Sequence, residues 1–355
     1  MTADAEALAD EALEGFYAET GAAYQQAAER CGSLQRRFRL AGRALQLEFA
    51  GPAMLANVVP ALEHLSTAPA GEPALRVRLF DSASTGVALP KTPWGSDVQV
   101  ARSEILGLDD SHAVRLSLHP GSAVLTLYHA ASATALVWMA DARDCPYWEA
   151  AAPLRGLLHW WCAAHGQQLV HAAAIGSEHA AMLLTGKGGS GKSTTALAGL
   201  LGGLRYLGDD YVVCENGAGG PAVHSLYNTA KVDRSSLALL PSLAGAIDPP
   251  PPAEQDKAVL YTARRFPRQL AQRMPLRALV VPAVTGGQPR LTPMSRAAAF
   301  LALAPTTLFQ LPGAGRQTTA FLRELVTALP CYQLSLGGDQ QALLALLRAT
   351  LAEQA

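Results

Sequence analysis

Over roughly the first 30 residues, Leu8, Ala12, Leu13, Phe16 and Tyr17 recur at helical spacing with acids on the remaining face. This predicts an amphipathic helix whose apolar stripe packs on a domain or on another subunit. From residue 37 to residue 80 the period changes to two. Phe38 and Leu40, then Leu45, Leu47 and Phe49, predict two strands; residues 52–65 predict a helix, and Leu75, Val77 and Leu79 a further strand. Val114, Leu116 and Leu118, then Val124, Leu125 and Leu127, then residues 135–139 predict an antiparallel meander, with Pro120-Gly121 as a turn.

A helix over residues 153–164, ended near Gly166, precedes an apolar strand over residues 169–175, and there a second domain begins. It continues as a strand (181–184), a glycine-rich loop, a helix (192–201), a short strand at Tyr206-Leu207 and a strand over 211–215. Residues 249–252 are all proline and predict a stiff, exposed break. The expected fold is α/β: a smaller α+β domain in residues 1–150, for a substrate or partner, followed by a P-loop domain in residues 151–355. A length of 355 residues suits two cores better than one.

Composition narrows the functional classes. Half the residues are apolar and 16% are charged, as in a globular protein, and the formal net charge of -1 gives no whole-molecule reason to expect nucleic acid or an acidic membrane. The N-terminus lacks a signal-peptide pattern, and no apolar run approaches the ~20 residues that cross a bilayer. The five cysteines are dispersed and lack metal-ligand spacing. A cytoplasmic protein with reduced thiols is expected, and a homo-oligomer is compatible with the sequence.

The chemistry is concentrated in one region. Gly186, Lys187, Gly188, Gly189, Ser190, Gly191, Lys192 and Ser193 satisfy GxxxxGK[ST] at every fixed position, between an apolar strand and a helix. Glycines let successive N–H groups face phosphates, and the helix N-terminus favours anions. Lys192 then reaches the terminal phosphates, Ser193 is placed for Mg²⁺, and Thr194 completes the nucleotide-binding segment. ATP with Mg²⁺ is the expected ligand. Just beyond the next helix, Asp209 and Asp210 end a short strand. Alone, such a pair is an ordinary turn with both side chains in water. Beside a triphosphate, one carboxylate can hold Mg²⁺ while the other accepts a proton from an attacking hydroxyl. His171, among Val170, Ala172 and Ala173, reads on its own as a satisfied core residue. Glu215 is a further candidate metal carboxylate. Lys231, Arg264 and Arg265 can bind phosphate or an acidic substrate, or can be solvated surface charge. Residues 306–313 and the helices after them read as packing.

His171, the P-loop and the adjacent aspartates together resemble the HPr kinase/phosphorylase family, P-loop kinases that phosphorylate a serine on a carrier protein. The resemblance spans residues 171–215. It implies a hydroxyl kinase with Asp209 as general base, Asp210 and Ser193 near Mg²⁺, and His171 beside the catalytic carboxylate, with Lys192 on the phosphates. Two departures bear on substrate. Ser193-Thr194 stands where the family has Ser-Glu, and residues 224–231 lack the family's glycine-rich signature segment. The chain thus looks more like the divergent HPr-kinase-related proteins, some of which phosphorylate serine on ribosomally made peptides such as lasso-peptide precursors. The expected acceptor is a serine or threonine of a peptide or protein. A small-molecule alcohol is the alternative, and a regulatory nucleotide-binding module or an ATPase is the rival from another class.

Overall fold

In the computed structural model the residues described are 3–95, 100–101, 103–105, 112–119, 121–247 and 257–353. Pro120 of the expected turn and the proline run 249–252 lie outside them. The chain is a mixed α/β protein whose contacts divide it into two units: Met1–Pro60, Ser66–Trp161 and Leu311–Gly313 form the first, and Ala61–Leu65, Cys162–Gln310 and Ala314–Ala355 the second. No helix among the described residues is long and apolar enough to cross a membrane.

The first unit is a six-stranded sheet in the order Ser33–Leu40, Arg43–Ala50, Leu75–Asp81, Thr134–Met139, Val124–His129, Val114–His119. The flanking hairpins are antiparallel, while Leu75–Asp81 runs parallel to both of its neighbours. The leading helix, Ala3–Cys31, lays its apolar stripe on this unit's own sheet rather than leaving it for a partner: Leu13, Phe16, Tyr24 and Ala27 are buried against Phe80, Leu116, Leu127 and Leu136. Those helix positions are three or eight apart, close to whole turns, so they fall on one face.

The second unit is built on a nine-stranded mixed sheet. At its centre the 12-residue strand Arg273–Val284 pairs in parallel with Ala181–Leu184 and with Cys331–Leu336, and antiparallel with Gly220–Ser225. Strand residues alternate between faces, and both faces here are covered. Met182, Leu184 and Val280 enter one core with Leu197 and Leu200, whereas Ala181, Leu183 and Leu279 enter another with Leu303, Leu322 and Leu325. This two-sided burial explains why residues 181–184 read as a continuous apolar run.

One expectation fails in an informative place. Residues 169–175 are two strands, Gln167–Val170 and Ala173–Gly176, broken at His171. The first pairs with Val212–Gly217, and the second with Ala181–Leu184 and Arg205–Gly208. At the break the N–H of His171 leaves the ladder and donates to Thr307 Oγ1 at 3.2 Å. The chain thereby crosses from one part of the sheet to another, and its histidine is turned toward the two aspartates.

Candidate functional site

The loop of residues 185–191 joins the buried strand Ala181–Leu184 to the helix Lys192–Leu201. Its course requires glycine. Gly191 has φ +99°, which L side chains rarely adopt, and a Cβ there would lie 2.4 Å from Leu336 Cδ1. Gly186, at φ +134°, is similarly constrained. Lys187, Gly188 and Gly189 are exposed and Ser190 is buried. No side chain caps the helix at Gly191, so its first N–H groups remain for an anion. Lys192 is buried and folds back on the loop, its Nζ donating to Gly186 O at 2.7 Å and Lys187 O at 3.2 Å. Burial lowers its pKa, the charges of Asp209 and Asp210 oppose that shift, and nearby Lys257 adds to it. The Thr194 hydroxyl lies 3.3 Å from that of Ser236.

The strand Arg205–Gly208 ends at the aspartates, whose environments differ sharply. Asp209 is 3% exposed. Its Oδ2 accepts a hydrogen bond from the N–H of Lys231 at 3.3 Å, and the nearby Ser193 hydroxyl helps to lower its pKa. Its Oδ1 is buried without a partner among the described residues. Burial, followed by the charge of Asp210, pushes its carboxyl up to about 6, against the pull of Ser193, Lys231 N–H and Lys192. Asp210 has both oxygens engaged: Oδ1 with His171 Nε2 at 3.2 Å, and Oδ2 with Lys231 Nζ at 2.6 Å. Burial alone would raise its pKa, but the His171 hydrogen bond and the Lys231 charge outweigh it and hold the carboxyl well below the usual range.

His171 is itself supported. Gln310 Nε2 lies 3.5 Å from its Nδ1, Tyr211 packs on its ring at 5.3 Å, and the Tyr211 hydroxyl donates to Gln310 Oε1 at 2.5 Å. With Nδ1 facing an amide donor, Nε2 carries the hydrogen that points at Asp210.

Several expectations change. Ser193 lies beside Asp209, whereas Asp210, expected with Ser193 near a metal, has both oxygens engaged by His171 and Lys231. His171 contacts Asp210, not the carboxylate expected to act as base. Glu215 is not at the site: five residues along the chain from Asp210, roughly 3.3 Å each in a strand, it bonds His224 Nε2 at 2.8 Å and Gln167 Nε2 at 3.3 Å. Arg264 is paired with Glu63 at 3.4 Å and lies over the Tyr261 ring, and Arg265 is exposed. Lys231 is brought to the site, on Asp210. Residues 306–313 are more than packing, because Thr307 and Gln310 both hold His171. Their sequence distance, 136 and 139 residues, left no signal to find them.

Among the described residues no cluster of three or more His, Cys, Asp or Glu could hold a metal. The buried free Oδ1 of Asp209 beside the Ser193 hydroxyl nonetheless suits Mg²⁺, which commonly takes one or two carboxylates and completes its shell with phosphates and water.

No family model matches the chain, and neither does any curated protein. Among solved structures, the chain is similar to the HPr(Ser) kinase/phosphatase from Coxiella burnetii, at 11% identity over 52% of this chain and 94% of that one, with a TM-score of 0.29.

Proposed function

We propose that this protein is a kinase that transfers the γ-phosphoryl group of ATP to a hydroxyl acceptor, by first preference a serine or threonine of a peptide or protein. The observation that carries the reading is the division between adjacent carboxylates: Asp209 beside Ser193 and Lys192, and Asp210 held by His171 and Lys231. The loop N–H groups and Lys192 bind the phosphates, the ammonium moving from the carbonyls of Gly186 and Lys187 to phosphate oxygens. Ser193 and Asp209 would hold Mg²⁺, which when bound neutralises charge on the phosphoryl oxygens. With a pKa of about 6, Asp209 is mostly ionised at neutral pH, and its buried Oδ1 would be offered to the cation.

Asp210 accepts the hydrogen bond of the attacking hydroxyl and then its proton. Its low basicity is tolerable because phosphoryl transfer passes through a loose transition state in which orientation outweighs proton abstraction. His171 and Lys231 fix the carboxylate, and Lys231 also offers positive charge near the transferring group. The roles of Asp209 and Asp210 are thus exchanged relative to those the family resemblance implies.

The test is incubation with labelled ATP·Mg²⁺ and candidate acceptors, read by mass spectrometry. Phosphoserine or phosphothreonine on a peptide or protein other than an HPr-like carrier is expected. Labelling of a small alcohol alone would make that the acceptor class, release of phosphate alone would make the protein an ATPase, and nucleotide binding without turnover would leave a regulatory module.

A further inference from the structure

Beside the P-loop lies a cavity of about 280 Å³. Gly191, Thr194 and Ala198 form one wall, and Leu336, Gly338 and Leu343, from the last strand and helix and the turn between them, form the other. Leu239 and Val284 also line it, 51% and 71% exposed. We propose that this cavity receives the purine base of the nucleotide and holds it by apolar contact, without reading its hydrogen-bonding edge. The inference rests on the phosphate-binding reading given above.

Position supports it first. Gly191 and Thr194 belong both to the phosphate-binding segment and to the cavity wall, so a nucleotide with its phosphates on the loop carries its base within a ribose length of the opening. Size supports it next. The volume lies near the lower end of small-molecule pockets, roughly 300–1,000 Å³, which suits a base and part of a ribose. The exposed side chains are a third sign: Leu239 and Val284 present apolar surface to water where a stacked purine would cover it.

The polar inventory of the wall sets the selectivity. Among the described lining residues there is no charged side chain. The Thr194 hydroxyl is engaged with Ser236, and the Gln340 amide donates to the carbonyl of Leu239. The Thr195 hydroxyl is buried without a partner among the described residues, but a hydroxyl both donates and accepts and so serves adenine and guanine alike. Guanine offers adjacent N–H donors that a carboxylate would select, and none lines this wall. A wall lacking dedicated side-chain partners discriminates by about 100-fold at most.

Gly338 provides the probe, because a Cβ added there meets nothing within 4 Å and its φ lies outside the left-handed region. Gly338→Phe places a ring at a cavity-lining position without a left-handed φ to strain it, and it is designed to occupy the cavity. Calorimetry would compare ATP·Mg²⁺, GTP·Mg²⁺ and inorganic tripolyphosphate on the wild type, Gly338→Phe and Val284→Ser. The filled variant should lose about tenfold or more in ATP affinity, with tripolyphosphate affinity within about twofold, the latter serving as the folding control. Val284→Ser, altering an exposed side chain, should weaken ATP by about threefold, and wild-type ATP and GTP affinities should agree within about 100-fold. Unchanged ATP affinity in both variants, with tripolyphosphate still bound, would overturn the base site alone. Wild-type failure to bind tripolyphosphate would overturn the phosphate site and this inference with it. A purine preference well above 100-fold would overturn the claim of apolar holding.

Discussion

The two units treat buried polar groups in opposite ways. In the first, Glu48 is 6% exposed, yet it accepts from Gln46 Nε2 at 2.5 Å and from Arg76 at 3.0 Å, with Arg78 at 3.4 Å. Asp81, 1% exposed, accepts from the N–H of Ser84 at 2.9 Å and caps a short helix. In the second, Thr185, Ser190, Thr195 and Asp209 each bury a side-chain oxygen without a partner among the described residues, all in or around the P-loop. Thr20 and His119 are such orphans in the first unit, but they lie on separate elements. Satisfied buried carboxylates order a fold, whereas a cluster of unsatisfied oxygens marks a place where the protein's own groups leave work for a ligand.

That contrast is broken most severely at Lys192. Lys192→Ala should remove measurable ATP·Mg²⁺ binding by calorimetry, because the cation facing the phosphates is lost. Asp210→Asn comes next: ATP affinity should be kept while phosphoryl transfer falls by roughly 10²-fold or more, the scale of a positioned acid-base group. The readout is single-turnover transfer from labelled ATP. If Asp210→Asn instead alters only the Mg²⁺ dependence and Asp209→Asn abolishes transfer, the division of roles proposed above is reversed.

Asp209→Asn sharpens the comparison through stability. Its folded pKa, about 6, exceeds the ordinary 3.8, so its contribution is fully present below pH 3.8 and is lost as pH rises through about 6. Asp210 has the opposite sign: its contribution is present above 3.8 and is lost as pH falls through its depressed folded pKa. In thermal melts without nucleotide, Asp209→Asn should therefore gain on the wild type between pH 4.5 and 7.5, by on the order of 2 kcal/mol, while its activity should require more Mg²⁺. In the first unit the isosteric Glu48→Gln should do the reverse, lowering stability by about 1–2 kcal/mol with transfer unaffected. The smallest effect is expected at Gln310→Ala. It should lower turnover about threefold through looser placement of His171, with KM for ATP unchanged.

What could be read from sequence divides along the range of the interactions. Helical spacing in residues 8–17, alternation in residues 38–49 and the glycine-rich loop are local signals, and the elements follow from them. The aspartates are adjacent in the chain and visible as a pair, but their separate partners are not, since Lys231 and Gln310 reach them or His171 from distant elements. Adjacent residues leaving a strand point in different directions, so neighbours in sequence became members of different networks. The break at His171 was hidden for a similar reason. Small apolar residues on both sides continue the pattern, and the deviation is set by Thr307 rather than by any glycine or proline.

One consequence follows from Lys192. Its ammonium rests on the carbonyls of Gly186 and Lys187, so the charge that a phosphate would use is held by the loop's own oxygens. An incoming anion must replace both of those acceptors before it gains anything from the cation. Chloride, a single weakly accepting sphere, cannot do so, whereas a polyphosphate presents several oxygens at once. On the proposed phosphate-binding reading, anion binding should therefore rise with the number of acceptor oxygens, tripolyphosphate displacing the lysine contacts more readily than chloride.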